Sequence, residues 1–205
     1  FVQAYTKKTF FEVRAQFDVV CYGLQPSKIR NESIPMKALK YLEYTIENNE
    51  EIGLQKTVAI CSTFNFDKKD LAKATERILT YALDLGYDVL KAQHCEAWAN
   101  KWNESDIVIE GDVAAQQGVR FNIFHLHQTY SGDDDRLNIG PKGFTGEKYG
   151  GSTYWDTEAY CIPFFLSNAP EKVTRNLLMY RYKHLGKAIE NAVKLGFKDG
   201  AALYP

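Results

Sequence analysis

The feature that most constrains this chain is a change of hydrophobic period near residue 65. Upstream of it, Phe11, Val13, Ala15, Phe17 and Val19 alternate with Glu12, Arg14, Gln16 and Asp18. Successive side chains of an extended backbone point to opposite faces, so this period of two predicts a half-buried strand within 9–24. Residues 38–46 and 54–64 carry similar strand-forming composition. The polar stretch Glu47-Asn48-Asn49-Glu50-Glu51 between them predicts a hairpin connection. Beyond Asn65-Phe66-Asp67 the period becomes helical. Asp67 is placed to cap a helix whose apolar face is Leu71, Ala74, Ile78, Tyr81, Ala82 and Leu85, and Gly86 stands where a C-terminal cap belongs. A second helix is expected after Asp88, through Leu90, His94, Ala97 and Trp98.

The pattern after residue 106 is mostly helical. Ile107-Val108-Ile109 is a short run of β type, ended by Gly111-Asp112. Asp112 can cap a helix reaching about Gln128. Residues 131–151 predict a long loop with several glycines, Pro141 and the triplet Asp133-Asp134-Asp135. Long loops inside compact domains are uncommon and often functional. A helix begins at Asp156, and Pro170 suits the first turn of another through Val173, Leu177, Leu178, Tyr180, Arg181 and Leu185. A last helix holds Ala188, Ala192 and Leu195 and is closed by Gly196. The fold class expected is mixed α and β in separate segments.

Composition removes several function classes. A net charge of −1 excludes a strongly basic nucleic-acid binder. No apolar run approaches the about 18 residues of a membrane span. Cys21, Cys61, Cys95 and Cys161 are scattered without a C-x-x-C pair, so no zinc site is expected and a reducing, cytoplasmic setting is. The first residue is Phe1, the sequence opens directly in strand-like residues, and no signal peptide is apparent. The chain therefore reads as a piece of something longer.

Tyr154-Trp155-Asp156-Thr157-Glu158 carries the strongest chemical signal. An indole offers a flat face to the C–H side of a pyranose, and a carboxylate can accept hydrogen bonds from two adjacent hydroxyls. The plainer alternative is a half-buried Trp followed by an Asp that caps a helix. Glycoside cleavage by water uses two carboxyls roughly 5–10 Å apart. Asp156 and Glu158 are two positions apart, which on a helix separates them by about 200°. They bind or orient; they are not a catalytic pair. His125 and His127 diverge for the same reason, whereas a helical metal site wants His at i and i+4. One packed and one exposed histidine is the expectation. Asp133, Asp134 and Asp135 are expected to be solvated.

Gly140-Pro141-Lys142-Gly143-Phe144-Thr145-Gly146-Glu147 lacks the Gly-Lys-Ser/Thr ending of a phosphate loop, which excludes that reading. Lys142 could still donate to a sugar or phosphate. Arg120 points either into a polar pocket or into an ion pair. Gln116, Gln117 and Asn122 are amides on an otherwise apolar helix and must find partners, in sugar hydroxyls or in the protein.

Taken in order, several motifs resemble one family. They are Glu110-Gly111-Asp112, Gln116-Gln117-Gly118-Val119-Arg120-Phe121-Asn122, the Gly140–Glu147 loop and Tyr154–Glu158, followed by Pro163-Phe164-Phe165, Tyr180-Arg181-Tyr182 and Gly200-Ala201. Together they resemble glycoside hydrolase family 65, the disaccharide phosphorylases, over nearly the whole chain and most strongly over 107–205. Gly150-Gly151-Ser152-Thr153-Tyr154 before Trp155 is most similar to the maltose-cleaving branch, rather than the kojibiose and trehalose branches.

The resemblance implies an architecture. Residues 1–65 would be the last strands of an N-terminal β-sandwich, 66–106 a helical linker, and 107–205 the opening helices of an (α/α)6 barrel. It also implies inverting phosphorolysis of an α-glucosyl disaccharide, with inorganic phosphate as co-substrate and neither cofactor nor metal. Trp155 and Asp156 would hold the glucosyl unit, with Lys142 and Arg120 as further substrate-binding candidates. The general acid and phosphate site would lie beyond Pro205, so that this stretch alone would not turn over. Partners would be disaccharide and phosphate, without nucleic acid or membrane, and a homodimer is an arrangement the family allows. The alternatives are a non-catalytic sugar-binding or self-associating fragment, or a phosphorylase of the kojibiose or trehalose branch.

Overall fold

The computed structural model describes residues 1–143 and 152–204. The chain divides into two compact units, Phe1–Cys95 and Glu96–Pro205. In the first, β1 (Val2–Tyr5), β2 (Glu12–Gly23) and β5 (Ile52–Ser62) form an antiparallel sheet in the order β1-β2-β5. β3 (Lys28–Ile34) and β4 (Lys37–Glu43) form a separate two-stranded sheet. Strands are therefore followed by helices, as the change of period predicts.

The hairpin predicted across Glu47–Glu51 is corrected. β4 pairs with β3, and β5 pairs with β2 from Val13↔Ser62 to Gly23↔Ile52. The tight turn lies at Pro35-Met36, between the paired Ile34 and Lys37. Proline presets φ at the first turn position, and Met36 takes the left-handed value the second requires, at φ 65°. β3 carries mostly polar, exposed residues, so its composition gives little sign of a strand.

The alternation in β2 also has a different outcome from the one expected. Val13, Ala15 and Phe17 share a face with Ile60 and Val58 of β5, and those two are exposed. At this end of β2 the fully buried face is the polar one: Glu12 and Arg14 lie with Ala59 and Cys61. Their partners explain how polar groups tolerate it. Glu12 accepts from Gln3 Nε2 at 3.0 Å and pairs with Lys68, whose ammonium holds it below the usual carboxylate range. Arg14 donates to Gln3 Oε1 at 3.1 Å and lies 3.6 Å above the Phe1 ring.

α1 spans Leu71–Ser105 but is interrupted at Gly86, whose φ of 75° and ψ of 167° are not helical. The predicted break is there, and the helix resumes at once rather than after Asp88. Before Gly86 its buried residues are Leu71, Ala74, Thr75 and Leu79, a shorter stripe than expected, with Ile78 and Tyr81 exposed; after it Ser105 is buried.

In the second unit Asp112 caps α2 (Val113–Thr129), its carboxylate accepting from the Ala115 amide at 2.9 Å. Ile107–Ile109 is not a strand. Its backbone is taken instead by the Gln116 side chain, which accepts from Ile109 N at 2.6 Å and donates to Ile107 O at 2.8 Å. A five-residue π-turn, Thr157–Cys161, leads into α3 (Ile162–Asn168). α4 (Glu171–Lys183) and α5 (Leu185–Lys194) follow. Gly196, at φ 88°, donates to Val193 O while Phe197 N donates to Ala192 O. This bond pair satisfies the last carbonyls of α5 as a Schellman cap.

The core joins these elements. Tyr130, Ile139, Phe165, Val173 and Leu177 form one buried cluster, with Phe164, Cys161 and Leu126 packed against it. Val173 and Leu177 are one helical turn apart, which fixes the face α4 presents. Gly132 lies against this cluster at φ 81°, where an added Cβ would collide with Val173. Gly111 has a similar φ of 87° and open space around it. Gly111→Ala is therefore expected to cost only the left-handed strain of about 1–2 kcal/mol. Gly132→Ala should lower the melting temperature clearly further in a thermal unfolding scan. Equal shifts would mean that the Gly132–Val173 approach does not matter.

Candidate functional site

A cleft of about 730 Å³ is lined by the C-terminal half of α2, residues 139–143 and the π-turn. Asn122, His125 and Thr129 come from α2, Lys142 from the loop, and Asp156 and Tyr160 from the turn. The loop and the turn are tied beneath it: the Thr157 hydroxyl, fully buried, donates to Ile139 O at 2.9 Å. The second half of the Gly140–Glu147 motif and Gly150-Gly151 lie outside the described residues.

Asp156 is positioned without being consumed. It precedes the π-turn in helical conformation, φ −53° and ψ −35°, and its side chain makes no cap hydrogen bond. Among the described residues no hydrogen bond or ion pair engages its carboxylate. The helix-cap alternative for this residue is thereby removed. Trp155 beside it is 62% exposed, its ring 5.9 Å from that of Tyr160 and tilted by 42°. An exposed indole, an exposed phenol and a carboxylate thus stand together on one short turn.

Glu158 faces elsewhere, as its spacing from Asp156 requires. Its two oxygens accept from Arg181 Nε at 2.7 Å and Nη2 at 3.0 Å. The same guanidinium donates to Tyr154 O at 2.7 Å and to Thr153 Oγ1 at 3.1 Å. Tyr204 OH donates in turn to Arg181 O at 3.1 Å. In sequence Arg181 stands out only as a member of a predicted helix and of a motif. Nothing local in it shows that its partners lie more than twenty residues away. Cys161 lines the cleft as an uncharged thiol, because burial raises its pKa and the nearby Asp156 and Glu158 raise it further.

The remaining candidates are placed as follows. Lys142 lines the cleft. Arg120 does not; its fork grips Asp106, with Nε to Oδ1 at 2.8 Å and Nη2 to Oδ2 at 2.6 Å. Gln116 is spent on the 107–109 backbone, and Asn122 Nδ2 donates to Gly118 O at 2.9 Å from the cleft wall. The acidic triplet is not simply solvated. Asp133 pairs with Lys172, Asp134 with Arg136 and Asp135 with Lys183. The Arg136 fork pulls the Asp134 pKa down to about 2. No group of three His, Cys, Asp or Glu among the described residues is arranged to hold a metal ion. No described helix is long and apolar enough to cross a membrane.

The two histidines separate as predicted. His125 is exposed at the cleft. His127 is buried, its Nε2 3.0 Å from Ser105 Oγ. That hydroxyl donates to Lys101 O at 2.7 Å, so Nε2 is the protonated nitrogen and donates to it. A second, smaller cavity of about 180 Å³ adjoins His127.

Comparison with known proteins places this arrangement. Residues 1–101 match the N-terminal domain of glycosyl hydrolase family 65, and residues 120–205 match the family's central catalytic domain. The chain belongs to glycoside hydrolase family 65. Maltose phosphorylase of Bacillus subtilis (strain 168) is 47% identical over 165 residues, 80% of this chain and 22% of that protein. Alpha,alpha-trehalose phosphorylase of Thermoanaerobacter brockii is 35% identical over 202 residues, 98% of this chain and 25% of that protein. A solved human-microbiome protein, described provisionally as a kojibiose phosphorylase, superposes with a TM-score of 0.78 at 26% identity, over 95% of this chain and 25% of its own. The chain thus spans about a quarter of the length of these relatives.

Burial, and secondarily the Lys101 charge, hold the His127 pKa below 6.5. The folded state keeps the ring neutral, whereas the unfolded chain takes up a proton as pH falls through about 6.5. Stability from this group is full above that pH and is lost below it. His127→Gln is expected to flatten the fall in melting temperature between pH 7 and pH 5. An unchanged slope would show that the ring titrates normally in the fold.

Proposed function

We propose that this chain serves inverting phosphorolysis of an α-glucosyl disaccharide, with maltose the expected substrate. A phosphate oxygen attacks the anomeric carbon, the glycosidic C–O bond breaks, and the departing oxygen takes a proton from a carboxylic acid. The products are β-glucose 1-phosphate and glucose. One acid suffices, because phosphate arrives already ionised, whereas water would need a base. In this reading Asp156 receives two hydroxyls of the glucosyl unit, the Trp155–Tyr160 pair supplies aromatic faces, and Lys142 donates from the loop that lines the same cleft.

The observation that carries this reading is the state of Asp156: a carboxylate in a cleft of about 730 Å³, with no cap bond, beside an exposed indole. Glu158, the carboxyl nearest in sequence, is occupied by Arg181 and is not proposed as the acid. Arg120, held by Asp106, contributes to the site only if that pair opens. Family membership and relatives named as phosphorylases support the reaction type. The preference for maltose rests on 47% identity to the maltose enzyme against 35% to the trehalose one. We also propose the family's division for the chain, a β-sandwich end over 1–65, a linker over 66–106 and barrel helices from 107.

The test uses the intact protein that carries this sequence. Maltose with phosphate should release glucose 1-phosphate, maltose alone should release nothing, and kojibiose and trehalose should be poorer substrates. Glucose release without phosphate would refute phosphorolysis. Asp156→Ala should raise KM and lower kcat/KM about 10- to 100-fold, the equivalent of a charged hydrogen-bonding contact worth about 1.5–3 kcal/mol. Unaltered kinetics would mean that Asp156 does not touch the sugar.

A further inference from the structure

We infer that Arg181 is the positioning residue of this site, acting on substrate through Asp156 without touching substrate itself. The inference rests on the role proposed above for Asp156. Arg181 extends from α4, and its side chain is only 12% exposed. Its guanidinium binds the turn on both sides of Asp156. Upstream it holds Thr153 Oγ1 and Tyr154 O; downstream it holds both oxygens of Glu158. Asp156 stands between these anchors with no hydrogen bond of its own among the described residues.

A carboxylate with no partner of its own takes its place from its backbone. Here that backbone is the mouth of a π-turn, a conformation whose hydrogen bonding is poorer in number than an α-helix of the same length and which needs outside support. Thr157 supplies one support from the loop side. Arg181 supplies the others, and α4 is itself fixed because Val173 and Leu177 on its inner face are buried in the core. Binding geometry is sensitive at this scale, since a displacement of about 1 Å can cost about a hundredfold in rate. Only a planar fork makes this set of bonds. A lysine ammonium is a single point and cannot span the carboxylate, the carbonyl and the hydroxyl together.

A double-mutant cycle on kcat/KM for phosphorolysis tests this, in the intact protein that carries the sequence. Arg181→Lys keeps the charge and removes the fork. It should lower kcat/KM about tenfold or more in the native background and by less than about twofold in an Asp156→Asn background. A generally structural role would give the same factor in both. Glu158→Gln, which keeps an acceptor for the fork, should restrict the loss to about threefold and serves if Arg181→Lys does not fold. Equal factors in both backgrounds, or a Glu158→Gln loss as large as that of Asp156→Asn with no coupling to it, would overturn the inference while leaving Asp156 as a sugar contact. If Asp156→Asn itself changes nothing, the sugar-binding reading fails first, and the positioning role fails with it.

Discussion

The ion pair between Arg181 and Glu158 is the interaction on which the candidate site hangs. Removing charges from water is costly, and a half-buried pair is tolerable only when geometry and extra hydrogen bonds compensate. Both conditions hold. The pair is bidentate, and the spare guanidinium N–H groups find a carbonyl and a hydroxyl of the same turn. The consequence reaches beyond stability. A helix seated in the hydrophobic core specifies where a surface turn lies, so the precision of the core is passed to groups that are themselves exposed.

What could be read from sequence was what is decided locally. Asp112 as a cap, Gly86 as a break, Gly196 as a stop and the divergence of Asp156 from Glu158 all depend on a few neighbouring residues. The structure has each of them. Strand pairing was less legible, because residues 24–51 separate β2 from β5 and nothing in the polar stretch 47–51 shows that the strands flanking it pair elsewhere. Alternation told which residues of β2 share a face. It could not tell that the buried face near the start would be Glu12 and Arg14, since that depends on Gln3, Lys68 and Phe1. The acidic triplet illustrates the same limit: Lys172 and Lys183, the partners of Asp133 and Asp135, both come from α4 and meet them only because α4 packs nearby.

Ile107-Val108-Ile109 shows how composition misleads in a specific way. Three β-branched residues suggest a strand, but strands need a partner to take their backbone groups. Here a single glutamine amide presents one acceptor and one donor at the spacing of a ladder, and it satisfies the segment from a helix. The amides that looked like candidate sugar ligands on α2 were thus divided by geometry: Gln116 is structural, and Asn122 reaches the cleft wall.

The π-turn has a bearing on how this region can vary. Its closing bond runs from Ile162 N to Thr157 O, one residue longer than an α-helical bond. The segment therefore holds one residue more than regular helix would use. Loss of any single residue between Thr157 and Cys161 would let the chain wind smoothly into α3, with a better backbone ladder than it has now. The same shortening would turn Trp155 and Asp156 about the helix axis relative to Tyr160 and pull Glu158 out of register with Arg181. Length, more than the identity of the intervening residues, is what this turn has to preserve, and indels here should be far rarer than substitutions.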